Sequence, residues 1–142
     1  MCVLGGEEMK VIYQLNDNQI KQLHEHYQQE WWTKDRTLKQ TQKIIKNSNI
    51  IIGMVDENNN LIAFVRVLTD FTIKALILDL IVDHYYRDKG LGKELLMLIK
   101  NHPDLKEVKH LELYCLPKME GYYKQFAFKS VEELSFMRME KR

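Results

Sequence analysis

Apolar residues change their spacing several times along this chain, and each change marks an element. Residues 10–14 form a short strand candidate. Asn16-Asp17 then offers a helix cap, and Leu15 with Ile20 can form a hydrophobic staple. Ile20, Leu23, Tyr27 and Trp31 follow at helical spacing. After a break at residues 32–36, Thr37 can cap a second helix running to about Asn47, with Leu38, Thr41, Ile44 and Ile45 on one side. The period then shortens. Residues 49–56 and 61–68 read as strands joined by the turn Glu57-Asn58-Asn59-Asn60, a hairpin signature. Residues 74–82 are almost continuously apolar, as in a strand buried on both faces. A helix over 90–101 ends at His102-Pro103. A strand over 111–116, a short helix over 119–126 and two weaker strands over 128–131 and 134–139 complete the pattern.

This order predicts an α+β, mixed α/β fold, with antiparallel strands leading into a strand–helix–strand crossover and helices on both faces of one sheet. A chain of 142 residues fits a single domain, here 9–142, with residues 1–8 expected as a flexible segment and Met9 as a second plausible start. The apolar and charged fractions, 45% and 29%, are those of an ordinary globular protein. The net charge of +1 offers no global field for nucleic acid, so any bound anion needs a local site. No stretch approaches the length of a membrane helix. The two cysteines, Cys2 and Cys115, are expected as reduced thiols, consistent with a cytoplasmic location. No metal-ligand spacing stands out.

The most informative segment runs from Leu80-Ile81-Val82 through Arg87-Asp88-Lys89-Gly90-Leu91-Gly92-Lys93. A buried strand enters a two-glycine turn that opens an amphipathic helix. Helix N-termini present free N–H groups and partial positive charge. Gly90 and Gly92 remove side chains that would hold a phosphate away, and Arg87, Lys89 and Lys93 add charge, partly offset by Asp88. A pyrophosphate fits this chemistry. The plainer alternative is a corner whose glycines only make the turn.

Arg87, Gly90 and Gly92 match, position by position, the Arg/Gln-x-x-Gly-x-Gly/Ala pattern of the Gcn5-related N-acetyltransferase (GNAT) superfamily, which this segment resembles. The resemblance extends over the element order from about Lys10 to Met139, and a bacterial subgroup of undefined substrate is similar in its Trp-Trp-x-x-Asp-Arg stretch. It implies a central, mostly antiparallel twisted sheet of 6–7 strands with a splayed pair that holds acyl-CoA. It also implies that the loop N–H groups bind the acetyl-CoA pyrophosphate, and that Leu80, Ile81 and Val82 bind the pantetheine arm. Tyr122-Tyr123-Lys124-Gln125-Phe126-Ala127-Phe128 resembles the family's Phe-Tyr-Glu-Lys-x-Gly-Phe stretch. Tyr122 then falls at the cofactor, and Tyr123 on the tyrosine that often protonates the leaving thiolate. Packing against the core is the alternative for Tyr123. Ala127 stands where the family has glycine, so the backbone there is expected not to need a glycine-only conformation.

Asp79 interrupts an apolar run, so it is either the base that prepares the acceptor amine or a structural carboxylate paired with Arg66 or another donor. Trp31 and Trp32 lie where relatives build the acceptor wall. Either one lines a pocket or both are partly buried. Cys115 permits a covalent route, with a buried inert thiol as the plainer alternative. The expected activity is transfer of an acetyl group from acetyl-CoA to a small-molecule or peptide amine in a ternary complex. The rival is an acyl-CoA-binding sensor with little turnover. No nucleic-acid or membrane partner is expected, and the C-terminal strands could pair two subunits as a homodimer.

Overall fold

The computed structural model describes the backbone of residues 2–4 and 7–142. The elements are β1 (Cys2–Leu4), β2 (Glu7–Ile12), α1 (Asp17–Gln29), α2 (Leu38–Asn47), β3 (Ile50–Val55), β4 (Leu61–Thr69), β5 (Lys74–Val82), α3 (Leu91–Lys100), β6 (His110–Leu113) and α4 (Glu120–Lys124). They form an α+β fold around one six-stranded sheet in the order β1-β2-β3-β4-β5-β6. All neighbours are antiparallel except β5 and β6, whose parallel pairing requires the α3 crossover.

Both long N-terminal helices start where their caps predict. Asn16 and Gln19 exchange side-chain and backbone hydrogen bonds in a capping box, and Thr37 with Gln40 repeats it for α2. These helices cover one face of the sheet, where Leu23 and Tyr27 pack on Val55, Leu61, Phe64 and Ile81. The other face packs Leu91, Leu95, Leu96 and Ile99 of α3 against Ile52, Val65, Val67, Ala75 and Ile77.

Two strand expectations are corrected at the ends of the chain. The first long strand begins at Glu7 rather than residue 10, because Met9 is a core residue at 1% exposure and pairs with Cys2 of β1. Of the stretch expected as a flexible segment, Cys2–Leu4 is a strand, and Met1, Gly5 and Gly6 lie outside the described residues. Neither strand expected over 128–131 and 134–139 forms. Phe128 packs on the core, but Val131, Leu134, Phe136, Met137 and Met139 are all exposed, so the alternation has no buried face to enforce a register. The Phe136 ring, 4.6 Å from that of Tyr114, keeps this tail near the end of β6.

The register of β4 on β5 slips once. Phe64 pairs with Ile81 and Arg66 with Leu78, so Val65 alone faces both Asp79 and Leu80. This is a β-bulge, and Asp79 takes a left-handed φ of 56° within it. The bulge resets which face each residue meets. Ala75 and Ile77 pack toward α3, and so do Leu80 and Val82, while Ile81 packs toward α1. With unbroken alternation Asp79 would share the apolar α3 face with Ile77. The extra residue instead delivers it to Tyr27 of α1.

Candidate functional site

Four structures converge at the middle of the sheet: the bulge, the splayed end of β5, the head of α3, and α4. Pairing of β5 with β6 ends at Ile77↔Leu113, although β5 continues to Val82. Residues 78–82 therefore run on with no strand on their β6 side among the described residues. This is the splayed pair that the resemblance implies, formed here by β5 and β6.

The head of α3 lies beside it. Gly90 caps the helix with a left-handed φ of 83° and no side-chain hydrogen bond. A Cβ at Gly90 would meet nothing within 4 Å, so the space above this turn is open. The helix's first backbone bond runs from Glu94 N–H to the Gly90 carbonyl, at 3.1 Å, leaving the N–H groups of Leu91, Gly92 and Lys93 ahead of it. Asp88 is also left-handed, at φ 62°. An anion fits this cradle, because donors, dipole and space coincide.

The charged side chains of the loop are placed less uniformly than their sequence suggests. Arg87 turns toward α1, where it pairs with Glu30 and donates from Nε to the Val82 carbonyl at 3.2 Å. Lys89 lies over the rings of Tyr85 and Tyr86, 5.4 and 5.5 Å from their centroids. Lys93 and Lys100 border a groove of about 380 Å³ that ends at Gln125, Phe126 and Ala127. A larger groove of about 590 Å³ lies on the other flank of α3, toward Tyr13 and His102, away from the gap.

Gly92 has a second role that the motif does not reveal. A Cβ there would stand 2.7 Å from the Tyr122 hydroxyl, so its smallness lets α4 close on α3. The Tyr122 and Tyr123 rings meet edge to face at 5.1 Å, and Tyr123 continues onto Phe128. Burial, then the neighbouring Tyr122 and Cys115, push the Tyr123 phenol up to about 12, so it stays protonated at neutral pH. Cys115 is exposed rather than buried as expected, and partial desolvation with the Glu120 carboxylate pushes its thiol up, a direction that disfavours a nucleophilic thiolate. Ala127 holds a left-handed φ of 72°. The glycine-type turn is thus kept despite the side chain, contrary to the expectation from sequence.

Asp79 is 3% exposed and fully engaged. Tyr27 Oη donates to its Oδ2 at 2.8 Å, Arg36 grips both oxygens at 2.6 and 3.2 Å, and Arg66 Nε donates to Oδ2 at 2.7 Å. Burial alone would raise this carboxyl, but the hydrogen bonds and charges of Arg36 and Arg66 outweigh it and hold the group below the usual carboxylate range. Of the two sequence readings, this geometry supports the structural carboxylate paired with Arg66. The sequence does not single out Arg36 and Tyr27 as its other partners. A signal is present, since a buried carboxylate demands donors, but only the fold says which ones.

The tryptophans follow α1 rather than lying on it. Trp31 is 67% exposed and Trp32 42%, so neither is buried against the sheet.

The family model for the acetyltransferase (GNAT) family matches residues 14–128. A relative named uncharacterized N-acetyltransferase ycf52, from Pyropia yezoensis, is 31% identical over 127 residues, covering 85% of this chain and 72% of that protein. Among solved structures, a putative GNAT-family acetyltransferase from Xanthomonas campestris pv. campestris superimposes with a TM-score of 0.76 at 24% identity, over 93% of this chain and 94% of that one. The glucosamine-6-phosphate N-acetyltransferase of Arabidopsis thaliana gives 0.72 at 17% identity, over 96% and 99%.

Proposed function

Because the chain belongs to the acetyltransferase (GNAT) family and is an acyl-CoA-dependent N-acyltransferase, we propose that it carries an acetyl group from acetyl-CoA directly to an amine held in a ternary complex. One observation carries this reading: the β5–β6 ladder stops at Ile77↔Leu113, beside the head of α3, where no side chain takes the first N–H groups. The gap-side edge of Leu80, Ile81 and Val82 can hydrogen-bond an extended amide chain as an added strand would. The N–H groups of Leu91, Gly92 and Lys93 can take a pyrophosphate, with Gly90 giving room and Asp88 and Lys89 shaping the loop. Lys93 and Lys100, bordering the groove that runs to Phe126, suit the remaining phosphate-bearing end.

When bound, acetyl-CoA supplies an activated acyl group as a thioester. The protein's part is placement and proton traffic. Tyr123 keeps its proton at neutral pH and can give it to the departing sulfur as charge develops there. Asp79 serves better as an anchor than as a base: its Oδ2 already accepts three hydrogen bonds and its carboxyl is held low. Its anchoring fixes the bulge, which turns the backbone at Leu80 toward the gap. Arg87 acts from outside the cradle, tying the loop to α1 through Glu30.

Calorimetric titration with coenzyme A and a free-thiol release assay across an amine panel test this reading together. Micromolar binding with amine-dependent thiol release is expected. Binding without release from any amine would favour the sensor alternative, and absence of binding would overturn the assignment of the cradle.

A further inference from the structure

The α1 side of the outer half of β4 and β5 is only partly covered. Val67, Ala75 and Ile77 pack toward α3, so strand alternation turns Leu68, Leu76 and Leu78 the other way. Leu68 is 37% exposed, and Leu76 and Leu78 are half-buried. This apolar floor runs up to the cluster of Arg36, Arg66 and Asp79 at the bulge. There one carboxylate faces two guanidinium groups, leaving one uncompensated positive charge. The cluster is sealed unevenly: the Asp79 side chain is 3% exposed, Arg66 12% and Arg36 26%. Glu30, at the C-terminal end of α1, is engaged by Arg87. Arg66 spends Nε on Asp79 and reaches Ser48 Oγ from Nη1 only at 3.5 Å. No buried side-chain N or O atom of the described residues lacks a hydrogen bond, so a guanidinium nitrogen without a protein partner in this cluster keeps some contact with solvent. In the same turn, Trp31 and Trp32 expose two large aromatic surfaces.

We propose that the acceptor is an amine that also carries an acidic group, carboxylate or phosphate, and an apolar or aromatic body. The acid is held by the uncompensated charge of Arg36 and Arg66, and the body lies over the leucine floor against the tryptophans. This rests on the acyl-transfer reading, since it places the acceptor on the sheet face opposite the α3 cradle. The bound acid neutralises the cluster's one uncompensated charge, and the amine loses a proton to solvent before its nitrogen bonds to the acyl carbon. The carbon–sulfur bond then breaks, the sulfur takes the Tyr123 proton and leaves as a thiol, and the nitrogen's second proton passes to solvent, from which Tyr123 is reprotonated.

The test uses two matched pairs of acceptors with acetyl-CoA: phenylalanine against phenethylamine, and phosphoethanolamine against ethanolamine. The acid-bearing member of at least one pair should have the higher kcat/KM by about tenfold or more, and Arg66→Gln should remove most of that preference. The responding pair identifies carboxylate or phosphate. Calorimetry with 3-phenylpropionate, phenyl phosphate and 2-phenylethanol reads the same site without turnover and, on the wild-type protein, without reliance on a variant's folding. One of the two anions should bind at least about tenfold more tightly than the alcohol. Preference for the neutral member in both pairs, or anions that bind no better than the alcohol, would overturn the proposal. Anion binding through Arg66 with no amine acylated would leave the anion site standing and remove the acyl-transfer reading instead.

Discussion

Replacing Asp79 with asparagine removes one charge and almost no volume, so the variant isolates what the carboxylate does. In the native protein its two oxygens accept four hydrogen bonds, three from guanidinium groups and one from Tyr27, at 2.6 to 3.2 Å. An asparagine side chain could offer one oxygen and would turn an amide N–H₂ toward a guanidinium, leaving Arg66, 12% exposed, without its counter-charge. Removing one partner of a buried ion pair costs about 3–5 kcal/mol. The opening of Arg36 to solvent, at 26%, argues for the lower end, about 3 kcal/mol. Urea denaturation at pH 7 should therefore show the midpoint fall by roughly 1–2 M, given a slope of about 2 kcal/mol per molar. The sign of the pH dependence follows from the carboxyl being held low when folded. Its stabilisation is present above the unfolded pKa of about 4 and is lost as pH falls through the folded value. The gap between wild type and Asp79→Asn should accordingly stay constant from pH 5 to 8 and close below pH 4. A gap under about 0.5 kcal/mol at pH 7, the range of an ordinary surface change, or one that persists undiminished in acid, would refute the reasoning.

Other consequences can be measured on the same protein. Ala127→Gly should stabilise by about 1 kcal/mol in thermal or urea unfolding, because the left-handed φ of 72° strains a residue with a Cβ; a loss of stability would contradict that. Gly92→Ala should cost about 1 kcal/mol, the low end for overpacking since only the Tyr122 hydroxyl must move. That cost should shrink in a Tyr122→Phe background, and equal costs in both backgrounds would break the proposed contact. Tyr123→Phe should lower kcat with little change in coenzyme A affinity. Wild-type kcat should show no loss attributable to Tyr123 below about pH 10, since burial raises its phenol to about 12; an unchanged kcat in the variant would remove the residue from the mechanism.

Much of the fold was written in local signals. The caps Asn16 and Thr37, the hairpin turn over residues 57–60 and the apolar run of β5 each act over a few residues and each appears where its chemistry places it, although β5 is fully buried at alternate residues rather than on both faces. The ends of the chain were harder to read, because strand formation there depends on a partner rather than on alternation. Glu7 and Glu8 look like a polar lead-in, yet β2 starts at Glu7 and pairs with β1. Leu134, Phe136 and Met139 look like a strand, yet all three stay exposed and only the Phe136 ring meets another, that of Tyr114. At the candidate site, the two-glycine turn and the tyrosine pair could be found from sequence because their spacing is local. The partners of Asp79 could not, since Tyr27 and Arg36 stand 52 and 43 positions away. The motif arginine shows the converse. Its position matches, but Glu30, 57 positions away, decides where its charge goes.

The inserted residue in β5 has a consequence for how substitutions will be tolerated. Odd-numbered positions up to Ile77 look toward α3, and even-numbered ones do so from Leu80 onward. Burial nonetheless stays on Ala75, Ile77, Asp79 and Ile81, so a saturation scan should find polar substitutions tolerated least at odd positions throughout, against α3 before the slip and against α1 after it. Deleting a single codon at the slip would merge the two phases, turning either Leu80 and Val82 or Ala75 and Ile77 away from their partners.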